Sequence, residues 1–261
     1  MEHSASRGTR VRPLGADGGL ACWGDRDVIV GAAVCPGAPF LIPGVAEPLA
    51  RESAALITAC LAAVRPLAGA DRIVLIAAGR RSIVYPAGRV TSQVAAPPVG
   101  RSDLVARECR PVLSVGTVVG QALVARAFPE GVPVPVDLVE TGGEADTDDA
   151  AARHDARQRD SVLVIADGAA THGDHAPGRR DDRAGSFDDA LAAALADGNP
   201  SALARACADP SVGRALLAVV EPLRVLARLT QGDPPTAADL LYRGSPYGVG
   251  YAVASWRWAG R

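Results

Sequence analysis

The sequence contains no lysine, and this absence excludes several kinds of enzyme. All 27 basic side chains are arginine. Without lysine the chain has no Schiff-base residue for a pyridoxal enzyme or a class I aldolase, and no phosphate-binding lysine for a Walker-type NTPase. The arginine accompanies abundant alanine, 28 glycines and 20 prolines. We interpret this bias as a signature of GC-rich coding rather than as a functional adaptation.

Aromatic residues, long apolar runs and paired cysteines are also scarce. Aromatics make up 4% of the chain and the net charge is −2, which argues against nucleic acid as a partner. No apolar run reaches the roughly 18 residues that span a bilayer, and the N-terminus lacks the hydrophobic stretch of a secretory signal. The five cysteines are widely spaced, odd in number and form no CxxC motif, unlike a disulfide scaffold or a zinc ribbon. These features predict a cytoplasmic protein that binds neither nucleic acid nor membrane.

The patterns that are present predict a single α/β domain after a flexible extension. Residues 1–27 are rich in Gly, Arg and Asp without periodicity, and we predict that they form an N-terminal extension. Within residues 28–261, the short apolar runs Val28–Val34, Arg72–Ala78 and Ser161–Ala166 are typical of buried parallel strands. Helical patterns alternate with them. The predicted fold is therefore a mostly parallel central sheet flanked by helices.

The other predicted elements are assigned from apolar spacing. The helical patterns cover Glu47–Leu67, the second half of a strand-turn-helix at Val112–Phe128, Ala150–Arg157, Phe187–Ala196, Asn199 to about Ala208, and Val212–Leu229. The shorter extended segments are Ser82–Val84, Val132–Val139, Leu240–Tyr242 and Gly248–Trp256.

Local signals refine several of these elements. Ser186-x-x-Asp189 is a capping signature for the helix that follows, and Asn199-Pro200 is typical of a helix start. Pro222 should kink or divide the helix over Val212–Leu229. The prolines within Val132–Val139 favour an edge strand or a strand start.

Three loops follow predicted strands, where ligands of parallel sheets bind. They are Cys35–Pro43, Gly79–Arg81 and Asp167–Arg183. The third, DGAATHGDHAPGRRDDR, carries two histidines and several carboxylates, which can bind a divalent metal or perform acid–base chemistry. The alternative is a solvated polar loop whose arginines and aspartates pair with one another. We favour that alternative for the RRDDR part and leave both interpretations open for His172.

Cys35 and the glycine pairs are weaker signals. Cys35 directly follows a strand, so a nucleophilic thiol and a buried structural cysteine both fit, and we favour the second. Gly142-Gly143 and Gly248-x-Gly250 do not form a GxGxxG motif at the start of a helix, which argues against a dinucleotide site.

Three segments, taken in order, resemble a known family. They are AAVCPGAPFLIPGVA, ADGAATH…GSFDDALAAAL and DLLYRGSPYGVGYAVASW. The chain resembles the LigB-like superfamily over about residues 28 to 256, and most of all an actinobacterial branch of extradiol dioxygenase-like proteins. The family comprises class III extradiol ring-cleavage dioxygenases and their relatives. The resemblance implies an α/β fold with its site at the ends of the strands.

The resemblance also implies a metal centre, whose ligands do not carry over to this sequence. Active members hold a non-haem Fe(II) with two histidines and a glutamate. The first histidine position matches Gly37, the second falls in the loop with Arg80 and Arg81, and the glutamate position falls near Ala215, with Glu221 the nearest acidic residue. The acid–base histidine of the family does have a match in His172.

We therefore expect a dioxygenase-like protein that has lost ring cleavage and needs no cofactor. Glycine offers no donor for the facial ligand set of Fe(II), and an arginine in the second loop opposes cation binding. Such a protein would keep a cleft for a small-molecule ligand or a protein partner. A cleft lined by Arg80, Arg81 and His172 would suit an anionic ligand such as a carboxylate or phosphate. The candidate ligand-binding residues are Cys35, Arg80, Arg81, Asp167, Asp174 and His175, with His172 as acid or base.

Two alternatives belong to other classes of function. One is an active metal enzyme, either a ring-cleavage dioxygenase or a hydrolase, with displaced ligands around His172, Asp174 and His175; only this alternative requires Fe(II) or another divalent metal. The other is a structural or assembly role, such as a homo-oligomer. The candidate contact stripe is the end of PYGVGYAVASW, Ser255 and Trp256, with Arg257 and Trp258 after it. We favour instead core or edge-strand positions for Tyr247, Tyr251 and Trp256.

Overall fold

The computed structural model describes residues 28–46, 49, 53–87, 113–142 and 159–259. The predicted N-terminal extension over residues 1–27 and the predicted helix over Ala150–Arg157 lie outside the described residues. In the described ranges, no helix has the length and apolar character needed to cross a membrane.

Seven strands of the described chain form one mixed sheet. The strands are β1 (Val28–Cys35), β2 (Arg72–Ala78), β3 (Ile83–Tyr85), β4 (Val136–Thr141), β5 (Arg159–Ile165), β6 (Ala237–Gly244) and β7 (Tyr251–Arg257). Their order is β3-β4-β2-β5-β1-β7-β6. The four central strands β4, β2, β5 and β1 are parallel, while β3, β7 and β6 pair antiparallel at the two sides. The predicted α/β fold with a parallel centre is confirmed, and both edges are antiparallel.

Helices cover both faces of this sheet. They are α1 (Ala54–Val64), α2 (Val115–Ala127), α3 (Ala184–Ala196), α4 (Pro200–Ala206), α5 (Pro210–Ala215) and α6 (Glu221–Leu229). Short 3-10 turns occupy Pro39–Leu41, Arg65–Gly69 and Pro246–Gly248.

Two apolar cores result from the alternation of side chains along the strands. On β5, Leu163 and Ile165 pack into a core with residues of α1 and α2. Val162 and Val164 pack on the opposite face with residues of α3, α4 and α6. The central strands are therefore apolar on both faces, which explains why their sequences are nearly continuous apolar runs.

The aromatic residues near the C-terminus belong mainly to these cores. Trp256 is 2% exposed and donates from Nε1 to the Leu195 carbonyl across 2.8 Å. Tyr251 is also buried, whereas Tyr247 is partly exposed and packs edge-on against Phe40. The core interpretation is confirmed for Tyr251 and Trp256.

A buried ion-pair network lies where β2, β4 and β5 begin, at the opposite end of the sheet from the strand ends that carry the candidate loops. Arg72 donates from Nε to Asp160 across 3.1 Å and from Nη1 to Asp137 across 3.3 Å. All three side chains are buried. The network joins three strands at a depth where a single unpaired charge would be strongly destabilising.

The prediction of an edge or starting strand at Val132–Val139 is half right. The prolines precede β4, so every residue of the strand keeps its backbone N–H, and the Pro135 carbonyl accepts from Ile73 N–H across 3.0 Å. The strand nevertheless lies inside the sheet, between β3 and β2.

The two predicted helix caps have different outcomes. Asn199 caps α4 as predicted, because its side chain accepts from Ala202 N–H across 2.9 Å. The prediction that Ser186 caps α3 is wrong, because the helix begins at Ala184, two residues before Ser186. Ser186 lies within the helix, and its Oγ donates to the Arg183 carbonyl across 3.0 Å. Asp189, the other half of the signature, binds Arg243 instead.

Three helical predictions differ in detail from the structure. Val212–Leu229 is divided into α5 and α6, with Pro222 in the first turn of α6, where its missing N–H leaves no hydrogen bond unmade. In the described part of Val112–Phe128 there is a helix without a strand, and Ser114 caps it by accepting from Thr117 N–H across 3.2 Å. The helix expected over Glu47–Leu67 is seen as α1 followed by a 3-10 turn.

Candidate functional site

A cavity of about 250 Å³ lies beside the carboxyl ends of β1 and β5. Its apolar wall comes from both strands, from α3 and α6, and from the start of β7: Val34, Ala166, Leu191, Ala192, Leu195, Leu223 and Ala252. Its polar side chains are Asp167, His172, Asp188, Arg243, Ser245 and Tyr251. A largely apolar cavity with a few polar groups at strand ends is the usual form of a small-ligand site in such folds.

Asp167 is held in this cavity through both its main chain and its side chain. Gly37 N–H donates to Oδ1 across 2.9 Å, and the main chain forms an antiparallel bridge with Val219. Burial raises the pKa of Asp167 to about 6, partly offset by the hydrogen bond from Gly37. Burial and the nearby Asp167 charge also raise the pKa of Tyr251. Near neutral pH the Asp167 carboxyl can therefore gain or lose a proton, while Tyr251 stays protonated.

His172 and Asp188 form a hydrogen-bonded pair across the cavity wall. His172 Nε2 donates to Asp188 Oδ2 across 2.6 Å, and the side chains are only 18% and 13% exposed. Asp188 Oδ1 accepts from Ala169 N–H across 2.8 Å, so both of its oxygens have partners. The pair fixes the orientation of the imidazole, as a carboxylate does for many acid–base histidines.

Two glycines make room for the Asp188 carboxylate. A Cβ atom on Gly168 or Gly250 would overlap its oxygens. The main chains of these glycines are also joined, because Gly168 N–H donates to the Gly250 carbonyl across 2.8 Å. Gly250, the second glycine of Gly248-x-Gly250, thus serves to seat this acidic side chain, whereas Gly248 lies against Ala176.

Asp188 is a candidate site residue that the sequence analysis missed. A detectable signal exists: Asp188, Leu191 and Leu195 recur at helical spacing, which places this aspartate on the buried face of α3. A carboxylate on an apolar helix face is unusual unless it is paired or functional.

The other acidic and basic residues of the same loop lie on the surface. Asp174 and His175 are exposed and do not line the cavity. Arg180 Nε lies 3.5 Å from Asp182, and Arg183 Nη2 lies 2.6 Å from Asp181. The favoured interpretation of the RRDDR part as mutually paired, solvated residues agrees with these contacts. Exposed pairs of this kind contribute little stability.

The arginine-lined cleft expected from the sequence is not formed. Arg80 and Arg81 are exposed, and neither lines the cavity that contains His172. Their loop follows β2, which is separated from β1 by β5 in the sheet. The side chains that line the cavity are consequently less positively charged than the sequence analysis expected.

Cys35 is a buried structural cysteine, as favoured. It is 0% exposed and does not line the cavity. Its contact with Cys60 and its burial raise the pKa of the thiol well above the ordinary value. A thiol in such surroundings is a poor nucleophile.

The positions matched to the family's iron ligands do not fit an iron centre. At Gly37 an added Cβ would lie 3.0 Å from Asp167 Oδ2, so this position supplies only a backbone N–H. Ala215 and Glu221 do not line the cavity. Across the described ranges, no three His, Cys, Asp or Glu side chains cluster as metal ligands would.

No family model matches the chain, and no curated protein matches it either.

Proposed function

We propose that this chain is a LigB-like protein that binds a small ligand in the cavity beside β1 and β5 and does not cleave aromatic rings. One observation carries the proposal: the cavity brings Asp167 and the His172–Asp188 pair together, while Gly37 offers no side chain as a metal ligand. The resemblance supplies the family, and the donor set of this chain argues against the iron chemistry of that family.

The shape and lining of the cavity suit a small molecule with one apolar side. About 250 Å³ is at the small end of the range for ligand pockets. Leucine, alanine and valine side chains form the apolar part of the wall, and the polar side chains come from the loop after β5, from α3 and from the region of β6 and β7. Within this arrangement, His172 lines the cavity as the candidate acid–base residue, and Asp188 positions it.

The metal-enzyme alternative requires His172, Asp174 and His175 to act on one ion. His172 faces Asp188, whereas Asp174 and His175 are exposed. These positions give the metal-enzyme alternative no support. The iron reconstitution described next tests it as well.

The ring-cleavage part of the proposal is tested with iron. The protein is purified anaerobically and reconstituted with Fe(II), and then metal stoichiometry and catechol cleavage are measured. We expect neither stoichiometric iron nor turnover. Stoichiometric iron with turnover would refute this part of the proposal.

The binding part is tested with a pair of matched variants. Ala192 lines the cavity and is 3% exposed, whereas its neighbour Ala193 is exposed on the same helix. A thermal-shift screen of small molecules should yield a ligand whose shift is abolished by Ala192→Leu and kept by Ala193→Leu. A ligand unaffected by Ala192→Leu binds elsewhere, and a diverse library without any ligand also contradicts the proposal.

A further inference from the structure

One carboxylate oxygen in the cavity has no hydrogen-bond donor from the described protein. Asp167 Oδ1 accepts from Gly37, but no described group donates to Oδ2. Asp188 differs, since Ala169 and His172 occupy its two oxygens. Asp167 is thus the acceptor that remains available to a ligand.

The surroundings of Asp167 make it energetically unfavourable for Oδ2 to lack a hydrogen-bond donor when the carboxyl is ionised. Asp167 is only partly exposed, and burial raises the pKa of its carboxyl to about 6. An ionised group in an apolar cavity is strongly disfavoured unless it meets an opposite charge or hydrogen-bond donors. A bound cation would supply both.

The other charged groups at the cavity do not neutralise Asp167. His172 is bonded to Asp188, and Arg243 is bonded to Asp189 at the solvent-exposed side. Tyr251 remains a neutral hydroxyl because its pKa is raised. Among the described charged side chains that line the cavity, Asp167 is therefore the one without a bonded counter-charge.

We propose that the cavity takes a small organic ammonium ion, with its charged head against Asp167 Oδ2 and its hydrocarbon part on the leucines of α3 and α6. This inference rests on the proposed function, because it names the ligand class of the same cavity. The ammonium donates hydrogen bonds to the carboxylate, and Leu191, Leu195 and Leu223 provide an apolar surface for the rest of the molecule.

The test compares three probes of similar size and different charge. Benzylamine, benzyl alcohol and benzoate are titrated at pH 7.5 into the wild-type protein, Asp167→Asn and Asp174→Asn, with isothermal titration calorimetry as the readout. We expect benzylamine to bind the wild type at least about tenfold more tightly than the other two. Asp167→Asn should weaken benzylamine by about tenfold or more, and the exposed Asp174→Asn should leave it unchanged.

A pH series gives a measurement that needs no variant. Lowering the pH from 7.5 to 5 protonates Asp167 while benzylamine stays charged, so its affinity for the wild type should fall. The affinity of benzyl alcohol serves as the control for other pH effects on the cavity.

Three results would overturn the ammonium inference. The first is that benzyl alcohol or benzoate binds as tightly as benzylamine or more tightly. The second is a benzylamine affinity that changes neither with Asp167→Asn nor with pH. The third is that none of the three probes binds. Equal or tighter binding of benzyl alcohol or benzoate leaves the proposed function intact if Ala192→Leu abolishes the binding of that probe. Binding that survives Ala192→Leu instead contradicts the proposed function itself.

Discussion

Replacing Asp167 with asparagine should stabilise the fold, and more so as the pH rises. The side-chain amide that Asp167→Asn introduces can still accept from Gly37 N–H but carries no charge to be buried. The Asp167 carboxyl has a pKa of about 6 in the folded chain against an ordinary value of 3.8. The folded protein therefore keeps a proton that the unfolded chain has already lost at intermediate pH.

The sign and size of the effect follow from this difference. Between about pH 4 and pH 6 the folded state binds more protons than the unfolded state, so the free energy of unfolding falls as the pH rises. The two pKa values differ by about two pH units, which corresponds to about 3 kcal/mol. Asp167→Asn removes this loss. The stability of the variant relative to the wild type should thus increase by about 3 kcal/mol from pH 4 to pH 7.5.

Urea unfolding followed by tryptophan fluorescence measures this difference, because Trp256 and Trp258 are buried in the folded protein. Other titrating groups are common to both proteins and cancel in the comparison. Asp174→Asn, at an exposed carboxylate, is the matched control for removing a negative charge. A difference between Asp167→Asn and wild type that stays constant from pH 4 to pH 7.5 would refute the reasoning.

Two further predictions concern the seat of Asp188 and the opposite end of the sheet. Gly250→Ala places a methyl group against the Asp188 carboxylate, so it should lower Tm and abolish ligand binding. Gly185→Ala places its methyl group in open space on α3, so it should raise the free energy of unfolding by up to about 1 kcal/mol. Both are measured by thermal unfolding, and equal effects of the two glycine changes would contradict the packing argument. Arg72→Met removes the guanidinium that binds Asp160 and Asp137 and leaves both carboxylates buried without it. The variant should therefore lose about 3–5 kcal/mol in free energy of unfolding, measured with urea. A loss below about 1 kcal/mol would show that the network carries little stability.

The parallel centre of the fold could be predicted because its strands are apolar on both faces. VIVGAAV, RIVLIAA and SVLVIA need no periodicity to be recognised as buried strands. Strand direction is a different matter. The apolar pattern of β7 fits either direction, and its antiparallel pairing with β1 depends on how the chain returns to the sheet. Boundaries such as the start of α3 were missed because the Arg183 carbonyl competes for the Ser186 hydroxyl.

The candidate site was predictable only as far as the loop after β5. Asp167 and His172 could be chosen because ligands bind at strand ends. Asp188 comes from a helix, and only the packing of α3 against the sheet brings it to His172. Arg80 and Arg81 were assigned to the same cleft because the strand order, which places β5 between β2 and β1, cannot be derived from local patterns.

The main-chain bridge between Asp167 and Val219 bears on how fast a ligand is captured and released. Asp167 N–H donates to the Val219 carbonyl across 3.3 Å, and Val219 N–H donates back across 2.9 Å. The bridge ties the main chain of Asp167 to the segment between α5 and α6, and the hydrogen bond from Gly37 N–H holds its carboxylate. A ligand then meets an acceptor already in position and loses no entropy in ordering a loop. Affinity among related ligands should accordingly differ in residence time more than in association rate.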